Sequence, residues 1–314
     1  MSEILQLIPA FKSPIWSGDN LRRIYTQNAP EKIGEAWVLS AHKDGQSVVS
    51  GGSFDGLTLS EALEKTGKAA LGVKAADFEF FPQLIKFIDT SDFLSVQVHP
   101  SDDYALQNEG QYGKTEVWYI IDAKENCGIY FGLKEKLSKE QLLSMAQDGT
   151  IEEKLQFVKV KKGECYFVSP GTIHAIGKGV TLAEVQQNSN LTYRLYDFLR
   201  KDKDGNFREL HLEKAAKVSV LEPLEYNKEG KEEKINGGSI KTVAQCDYFT
   251  AKAITLNGEI KLCTKDSFIS VVIISGSGSI NGKKFKTGDS YFVPADFGEF
   301  TLNGNFEALI SYVE

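Results

Sequence analysis

The feature that most constrains this chain is a series of short runs in which apolar and polar residues alternate, separated by turn-forming residues. Successive side chains of a β-strand point to opposite faces, so a period of two is typical of strands with one buried face. Gly, Asn, Asp and Pro between the runs mark turns. The fold class is therefore dominated by β-structure. Strands are predicted at residues 93–99, 116–122, 155–161, 164–168, 180–186, 268–274 and 290–293.

Helical patterns are confined to three short segments. Residues 59–70 carry apolar side chains at helical intervals, and residues 211–218 form a weaker candidate. Between them, Ser138 and Gln141 have the spacing of a capping box, in which the side chain of each residue bonds the backbone N–H of the other. The sequence thus predicts a few helices inserted between strands.

The length of 314 residues suits one large domain or two modest ones. The most polar stretch, residues 225–238, lacks apolar periodicity and is predicted to be a linker or surface loop. A domain boundary placed there gives a first domain at residues 1–235, with the short helical segments, and a second domain at residues 236–314.

A weak internal repeat connects the two parts of the chain. Residues 161–169 match residues 286–294 at most apolar and turn positions, which suggests two related β-barrels in tandem. In the same register, His174 of the first copy falls opposite Glu299 of the second. We therefore expect any metal ligand at His174 to be missing from the second barrel.

Composition excludes several classes of function. No apolar run approaches the roughly 20 residues needed to cross a bilayer, and the first residues lack the pattern of a signal peptide. The four cysteines are scattered and form no CxxC pair, which fits a cytoplasmic protein. The net charge is −7, with basic and acidic residues interspersed, so nucleic acid is not an expected partner. A few converging cations could still bind one anionic metabolite.

A turn-bracketed strand carries the first candidate for a metal ligand. Gly163 precedes it, the turn 169–171 (Ser-Pro-Gly) follows it, and two residues separate that turn from His174. This spacing resembles the second signature of the cupin superfamily, in which a histidine points into the barrel. The resemblance implies that both barrels are cupin, or jelly-roll-like, barrels.

Three further residues complete a candidate metal site. Gln97 and His99 lie two residues apart and share one face of their strand, and Glu116 opens the next strand. Two imidazoles, one carboxylate and one amide oxygen suit zinc, and also iron or manganese. Because only Glu116 is anionic, a divalent ion would keep about one unit of positive charge, which favours Lewis-acid chemistry. Each residue alone is more often a core or surface residue, but their combination indicates a metal site.

Longer segments resemble one family within that superfamily. The resemblance extends over residues 34–40, 82–89, 94–100, 113–119 and 184–197. These segments are similar to motifs of the short bacterial form of type I mannose-6-phosphate isomerase. The resemblance implies a metal-dependent aldose–ketose isomerase that interconverts mannose 6-phosphate and fructose 6-phosphate through an enediol or enediolate.

The same resemblance implies roles for individual residues. It makes Gln97, His99, Glu116 and His174 the ligands of one Zn²⁺ per chain, with other divalent metals possible. It makes Arg194 the catalytic arginine and places Lys86 and Lys114 in the substrate cavity. Lys86 and Arg200 are candidates for binding the phosphate of the hexose substrate. Lys114 and Glu184 are rival candidates for the proton-transfer base.

Two other functions remain open from the sequence. Two histidines and a carboxylate also form the iron site of cupin oxygenases, although Gln97 as a fourth ligand would occupy a position that oxygen needs. A sugar-phosphate-binding protein without activity could keep a metal for structure, although it has no need of Arg194. The sequence leaves the oligomeric state open between a monomer and a homodimer.

Overall fold

The fold is that of a computed structural model of the protein, which describes residues 3–27, 29–201, 204–228 and 230–314. Most of its secondary-structure elements are β-strands. In chain order the strands are β1 (Leu5–Ile8), β2 (Ala10–Lys12), β3 (Glu35–Ser40), β4 (Val48–Ser50), β5 (Gln83–Asp89), β6 (Val96–Val98), β7 (Glu116–Ala123), β8 (Gly128–Leu133), β9 (Leu155–Lys159), β10 (Cys165–Val168), β11 (His174–Ile176), β12 (Val180–Gln187), β13 (Tyr193–Tyr196), β14 (Lys231–Ile235), β15 (Gly238–Gln245), β16 (Thr250–Cys263), β17 (Ile269–Ile280), β18 (Lys283–Lys286), β19 (Ser290–Val293) and β20 (Glu299–Tyr312). The α-helices are α1 (Asn20–Ile24), α2 (Leu59–Thr66), α3 (Asp102–Glu109), α4 (Lys139–Asp148) and α5 (Leu212–Val218). Short 3₁₀ turns lie at Gly52–Phe54, Lys68–Ala70, Val73–Ala75 and Thr150–Lys154.

The strands of the described residues assemble into three antiparallel sheets. Sheet A has the order β14-β15-β16-β20-β17-β19-β1-β4, with β18 paired to β17. Sheet B has the order β10-β7-β12-β5-β3-β2, and sheet C has the order β13-β6-β11-β8-β9. The predicted class, mostly β with a few helices, is confirmed.

Sheets B and C enclose the core of the first barrel. Trp118 and Ile120 of sheet B share one apolar cluster with Phe131 and Ile176 of sheet C. The opposite face of sheet B packs on sheet A, and the outer face of sheet C packs on α4 and α5. A second cluster, built from β15 to β20, fills the second barrel inside sheet A. The metal candidates therefore lie in a barrel that is covered on both outer faces.

The internal repeat is confirmed at the level of single hydrogen bonds. Gly163 has φ +83° and donates its N–H to the carbonyl of Ile120 at 2.9 Å. Gly288 has φ +91° and donates to the carbonyl of Ile273, also at 2.9 Å. In both copies the strand after this glycine turn, β10 or β19, pairs with the strand that accepts the bond. The predicted pair of tandem cupin-type barrels is thus present in the fold.

The second barrel departs from the first at the position of His174. Glu299, its predicted counterpart, opens β20, is 61% exposed and pairs with Lys261 at 3.1 Å on the surface. Its carboxylate therefore points away from the barrel interior.

One expectation about the linker was wrong. Residues 231–235 form an edge strand, β14, instead of a loop, and a two-residue Asn236–Gly237 turn joins it to β15. Gly237 has φ +79°, a left-handed conformation that glycine adopts without strain. The strand shows no apolar alternation because four of its five residues are exposed. Charged residues at a sheet edge also hinder pairing with other chains.

The helix predictions agree with the fold except in length and number. Helix α2 ends at Thr66 because Gly67 has φ +73°, and only a 3₁₀ turn follows. Ser138 caps α4 as predicted, since its hydroxyl accepts from the N–H of Gln141 at 3.2 Å and the Gln141 side chain accepts in return at 2.7 Å. Helix α3 was not predicted, because only Ala105 of its residues is buried.

The predicted domain boundary between residues 235 and 236 stays a prediction. Strands β1, β4 and β14, which precede it in the chain, belong to sheet A together with the C-terminal strands. Among the described residues, no helix is both long and apolar enough to cross a membrane.

Candidate metal centre

The four predicted ligands meet inside the first barrel. Gln97 lies in β6, His99 follows that strand, and Glu116 and His174 open β7 and β11. The ligand atoms of His99, Glu116 and His174 all lie within 4.8 Å of one another, and the three residues are buried. The Gln97 amide nitrogen lies 3.3 Å from His174 Nε2. A 180° rotation of the amide would place its oxygen, which a metal prefers, at the same point.

Backbone carbonyls orient both imidazoles. His99 Nδ1 donates to the carbonyl of Leu191 at 2.8 Å, and His174 Nδ1 donates to the carbonyl of Thr172 at 2.9 Å. A carbonyl can only accept, so Nδ1 carries the proton in both rings and Nε2 presents its lone pair. In His99 that lone pair faces the Lys114 ammonium at 3.3 Å. Both Nε2 atoms face Glu116, at 3.7 Å for His99 and 3.5 Å for His174. This is the arrangement in which histidines bind metals.

Burial tunes these groups in the direction that metal binding requires. It lowers the pKa of His174 to about 4 and that of His99 well below its usual range, so both imidazoles are neutral at pH 7. Burial, with the neighbouring carboxylate of Glu184, raises the pKa of Glu116 to about 7. A buried carboxylate of this kind favours a cation beside it.

The donor separations fit a small divalent ion. Four ligands bound tetrahedrally at about 2.0–2.2 Å are separated from one another by roughly 3.3–3.6 Å. Three separations, 3.3, 3.5 and 3.7 Å, lie close to that range, and the ligand atoms of His99, Glu116 and His174 taken together lie within 4.8 Å of one another. Two neutral imidazoles with one carboxylate and one amide oxygen are ligands that zinc, iron and manganese accept.

A row of alternating charges extends from the metal candidates along sheet B. Lys114 pairs with Glu116, and its ammonium lies 3.6 Å from Glu184 Oε1. The same oxygen is 3.3 Å from the ammonium of Lys86, which lies 3.7 Å from Glu35 Oε2. Both lysines are less than 5% exposed. The row brings Lys86, Lys114 and Glu184, which the sequence had predicted separately, into one group.

Two tryptophans hold the carboxylates of this row. Trp118 Nε1 donates to Glu184 Oε2 at 2.9 Å, and Trp37 Nε1 donates to Glu35 Oε2 at 2.6 Å. The ammonium of Lys86 also lies 4.9 Å from the centre of the Trp37 ring, a cation–π distance. Neither Glu35 nor the two tryptophans were predicted as site residues from the sequence.

The charges of the row set the protonation states of its members. Burial by itself would raise the pKa of Glu184, but Lys114 and Lys86 outweigh it and hold that pKa at about 2. Burial would lower the pKa of Lys114, but Glu116 and Glu184 outweigh it and raise that pKa. At neutral pH, Glu184 is therefore ionised and Lys114 is protonated.

The two predicted arginines differ in their surroundings. Arg194 pairs with Gln97 across β13 and β6 and is partly exposed, as Gln97 is, so solvent reaches the metal candidates from this side. Its Nη1 donates to the carbonyl of Glu209 at 2.7 Å, and its buried Nε has no partner among the described residues. The guanidinium of Arg200 instead pairs with Asp197 at 2.6 Å, and its predicted contact with the substrate phosphate stays a prediction.

Comparison with known proteins decides the family. A family model described as "Phosphomannose isomerase type I, catalytic domain" matches residues 4–126, and one described as "Mannose-6-phosphate isomerase, cupin domain" matches residues 239–313. The mannose-6-phosphate isomerase ManA of Bacillus subtilis (strain 168) is 39% identical over 317 residues, which cover 99% of each chain. The chain belongs to the mannose-6-phosphate isomerase family. The resemblance drawn from the motifs is thereby confirmed.

Other mannose-6-phosphate isomerases agree with this assignment. The mannose-6-phosphate isomerase of Streptococcus mutans serotype c is 35% identical and covers 99% of each chain. The crystal structure of the mannose 6-phosphate isomerase from Bacillus subtilis matches with a TM-score of 0.91 at 37% identity and covers 99% of each chain. The apo form of the Salmonella typhimurium mannose 6-phosphate isomerase shares the fold, with a TM-score of 0.77 at 17% identity over all of both chains.

Proposed function

We propose that this chain interconverts mannose 6-phosphate and fructose 6-phosphate, with one divalent metal ion, zinc, held by Gln97, His99, Glu116 and His174. The observation that carries the proposal is the convergence of two neutral imidazoles and a buried carboxylate at the end of a row of alternating lysines and carboxylates. Family membership supports the same reaction, because the relatives are mannose-6-phosphate isomerases.

The reaction moves a carbonyl between C1 and C2 of a phosphorylated hexose. A proton must leave the carbon beside the carbonyl, and the negative charge that develops on the oxygens must be stabilised until a proton returns. A bound divalent ion supplies positive charge next to these oxygens. The protein residues have to accept the proton, stabilise the oxyanion and hold the phosphate.

Glu184 is the proposed proton acceptor. Its carboxylate is buried and ionised, Trp118 fixes one of its oxygens, and the other lies between two ammonium groups. A positioned carboxylate of this kind can take a proton from carbon and return it to the neighbouring carbon. Lys114, the rival candidate, lies at ion-pair distance from both Glu116 and Glu184 Oε1, so we assign it the role of a hydrogen-bond donor to a substrate oxygen.

Arg194 is the proposed stabiliser of the oxyanion. It lies on the strand next to Gln97, on the side that solvent reaches, and its Nε has no partner among the described residues. A planar guanidinium that stays charged can donate to both O1 and O2 as negative charge moves between them. We assign Lys86 to the substrate phosphate or to a hydroxyl near it, because it is the next cation along the row from Lys114.

The two alternative functions have less support. An oxygenase needs open positions on the metal, and Gln97 lies where a fourth ligand belongs. A sugar-phosphate-binding protein does not need a base, yet Glu184 is held ionised beside the metal candidates. The cytoplasmic location and the choice between a monomer and a homodimer stay predictions.

A substrate assay tests the proposal. Mannose 6-phosphate and glucose 6-phosphate are supplied separately to metal-replete protein, and fructose 6-phosphate is measured with a coupled enzyme that leaves both aldoses unchanged. We expect product from mannose 6-phosphate and at least a hundredfold less from glucose 6-phosphate. Absence of product from both would refute the proposed reaction, and preference for glucose 6-phosphate would refute the substrate.

A further inference from the structure

The second barrel has a cavity at its mouth that the isomerase reaction does not use. Its volume is about 590 Å³, within the size range of small-molecule sites. Ile240, Ile269, Ile310 and Tyr312, which belong to the apolar cluster of the second barrel, form much of its wall. The cavity therefore opens into the inner face of sheet A.

The internal repeat identifies which residues of the first barrel this cavity corresponds to. Residues 165–168 of the first copy match residues 290–293 of the second. Val168 pairs with Glu116, and its counterpart Val293 pairs with Ile269. Ile269 thus takes the place of the metal ligand Glu116.

The same register continues across two further strands. In the first barrel, Trp118 lies two residues after Glu116 and pairs with Glu184. In the second barrel, Val271 lies two residues after Ile269 and pairs with Ile310. On the next strand, Glu184 pairs with Lys86, and Ile310 pairs with Lys252. Lys252 therefore stands at the position of Lys86.

The irregularities of the strands support this alignment. Lys86 pairs with Trp37, after which the register between β3 and β5 shifts. Lys252 pairs with Thr242, after which the register between β15 and β16 shifts in the same way. The cavity of the second barrel is accordingly the structural counterpart of the candidate active site.

The chemistry of this counterpart differs from that of the first barrel. Isoleucine replaces the two carboxylates Glu116 and Glu184, and Glu299, in place of His174, points to solvent. The cavity thus lacks the donors of the metal site and has apolar walls. Four lysines line it, and among the described residues none of their ammonium groups has an ion-pair partner; they are Lys74, Lys231, Lys252 and Lys265.

The lysines that line the cavity outnumber its acidic side chains by one. The carboxylates that line the cavity belong to Glu233, Asp266 and Glu314. The Glu314 carboxylate already accepts hydrogen bonds from Gln245 at 2.7 Å and Thr250 at 2.8 Å. The Lys252 ammonium lies 5.5 Å from the centre of the Tyr312 ring, a cation–π distance. Ammonium groups without a carboxylate partner, beside apolar and aromatic walls, suit a ligand with one phosphate and a compact body.

We propose that this cavity is a second, non-catalytic binding site for a phosphorylated hexose. The ammonium of Lys252, with the lysines at the rim, binds the phosphate, and the sugar lies against Tyr312 and the isoleucines. The choice of a phosphohexose rests on the proposed function, because the first barrel takes such a ligand at the equivalent position. The site needs no metal, and nothing in it replaces Glu184 or His174.

Calorimetric titration of fructose 6-phosphate into the full-length, metal-replete chain tests this site. We expect two binding events in the wild type, and the second should weaken roughly tenfold or more in Lys252→Ala, since a charge-assisted hydrogen bond is lost. Lys284→Ala, an exposed lysine on strand β18, is the matched control and should bind like the wild type. Lys265→Ala, in an exposed turn, tests the same site with little risk to folding.

Each result separates this site from the active site. A single binding event in the wild type, or two events that neither lysine variant changes, would overturn the proposal. Inorganic phosphate binding as tightly as fructose 6-phosphate would overturn the assignment of a sugar phosphate. If the wild-type chain shows no turnover but keeps a binding event that depends on Lys252, the proposed function is refuted and the second site is supported. If the wild-type chain turns over mannose 6-phosphate normally but shows no binding event that depends on Lys252, only the second site is refuted.

Discussion

Replacing Glu184 with glutamine should affect both catalysis and stability, for separate reasons. The change keeps the shape of the side chain and removes its negative charge. Without a carboxylate to accept the proton, turnover of mannose 6-phosphate should fall by about 10²–10⁴-fold, the contribution of a positioned general base. The KM should change much less, because other residues hold the substrate.

The effect on stability follows from the two ion pairs that the change removes. At an effective dielectric constant of about 20, a charge 3.3 Å from Lys86 and 3.6 Å from Lys114 contributes roughly 5 kcal/mol to each pair. A neutral amide costs less to bury than a carboxylate, which offsets part of this loss. In addition, Lys86 keeps Glu35 as a partner and Lys114 keeps Glu116. Breaking a buried pair typically costs about 3–5 kcal/mol, and we expect a loss in that range from urea unfolding at pH 7.

A matched control separates the two effects. Glu307 is also buried, accepts a hydrogen bond from Tyr119 at 2.6 Å and pairs with Lys162 at 2.9 Å, but it lies between the two barrels. Glu307→Gln should lose stability and keep its turnover. The coupled fructose 6-phosphate assay, run well below the melting temperature of both variants, makes the comparison. Turnover of Glu184→Gln within tenfold of Glu307→Gln would refute the assignment of Glu184 as the base.

Three further substitutions test other parts of the account. Arg194→Ala should lower turnover about 10²–10³-fold, as expected for loss of an oxyanion donor, and change the Kd for fructose 6-phosphate only a few-fold; equal losses in both would indicate a binding role. Asp197 pairs with Arg208 and Arg200. Burial by itself would raise the pKa of the Asp197 carboxyl, but the two arginines outweigh it and lower that pKa. The stabilisation that the ionised Asp197 carboxylate contributes is therefore complete above the usual carboxyl pKa of about 3.9, and it is lost as the pH falls below that value. Asp197→Asn should be less stable than the wild type at pH 7, with a difference that shrinks below about pH 4; a constant difference would contradict this. Ser138→Ala removes the cap on Gln141 and should lower the free energy of unfolding by about 1 kcal/mol in urea, and no change would mean that the cap does not contribute.

The sequence was sufficient for features that depend on local periodicity or on short motifs. Gln97 and His99 share a face because strand side chains alternate, and the turn before His174 fixes the direction of its ring. The capping box at Ser138 could also be predicted from the sequence, because its two partners lie only three residues apart. The tandem barrels followed from a nine-residue repeat.

Features that depend on the pairing of distant strands could not be read from the sequence. Glu35 contacts Lys86 only because β3 and β5 are neighbours in sheet B. The correspondence of Lys252 with Lys86 likewise needs the register of three strands in each barrel. Strand β14 escaped prediction because an exposed edge strand needs no apolar alternation, although its Asn236–Gly237 turn was a usable signal.

The most direct test of the central claim is the metal content of the protein measured together with its turnover. We expect one divalent ion per chain, loss of both metal and isomerase activity after chelation, and recovery of both on adding zinc. Glu116→Gln should bind the ion much more weakly and remain inactive at zinc concentrations that restore the wild type. Full turnover of mannose 6-phosphate by protein shown to be metal-free would contradict the account.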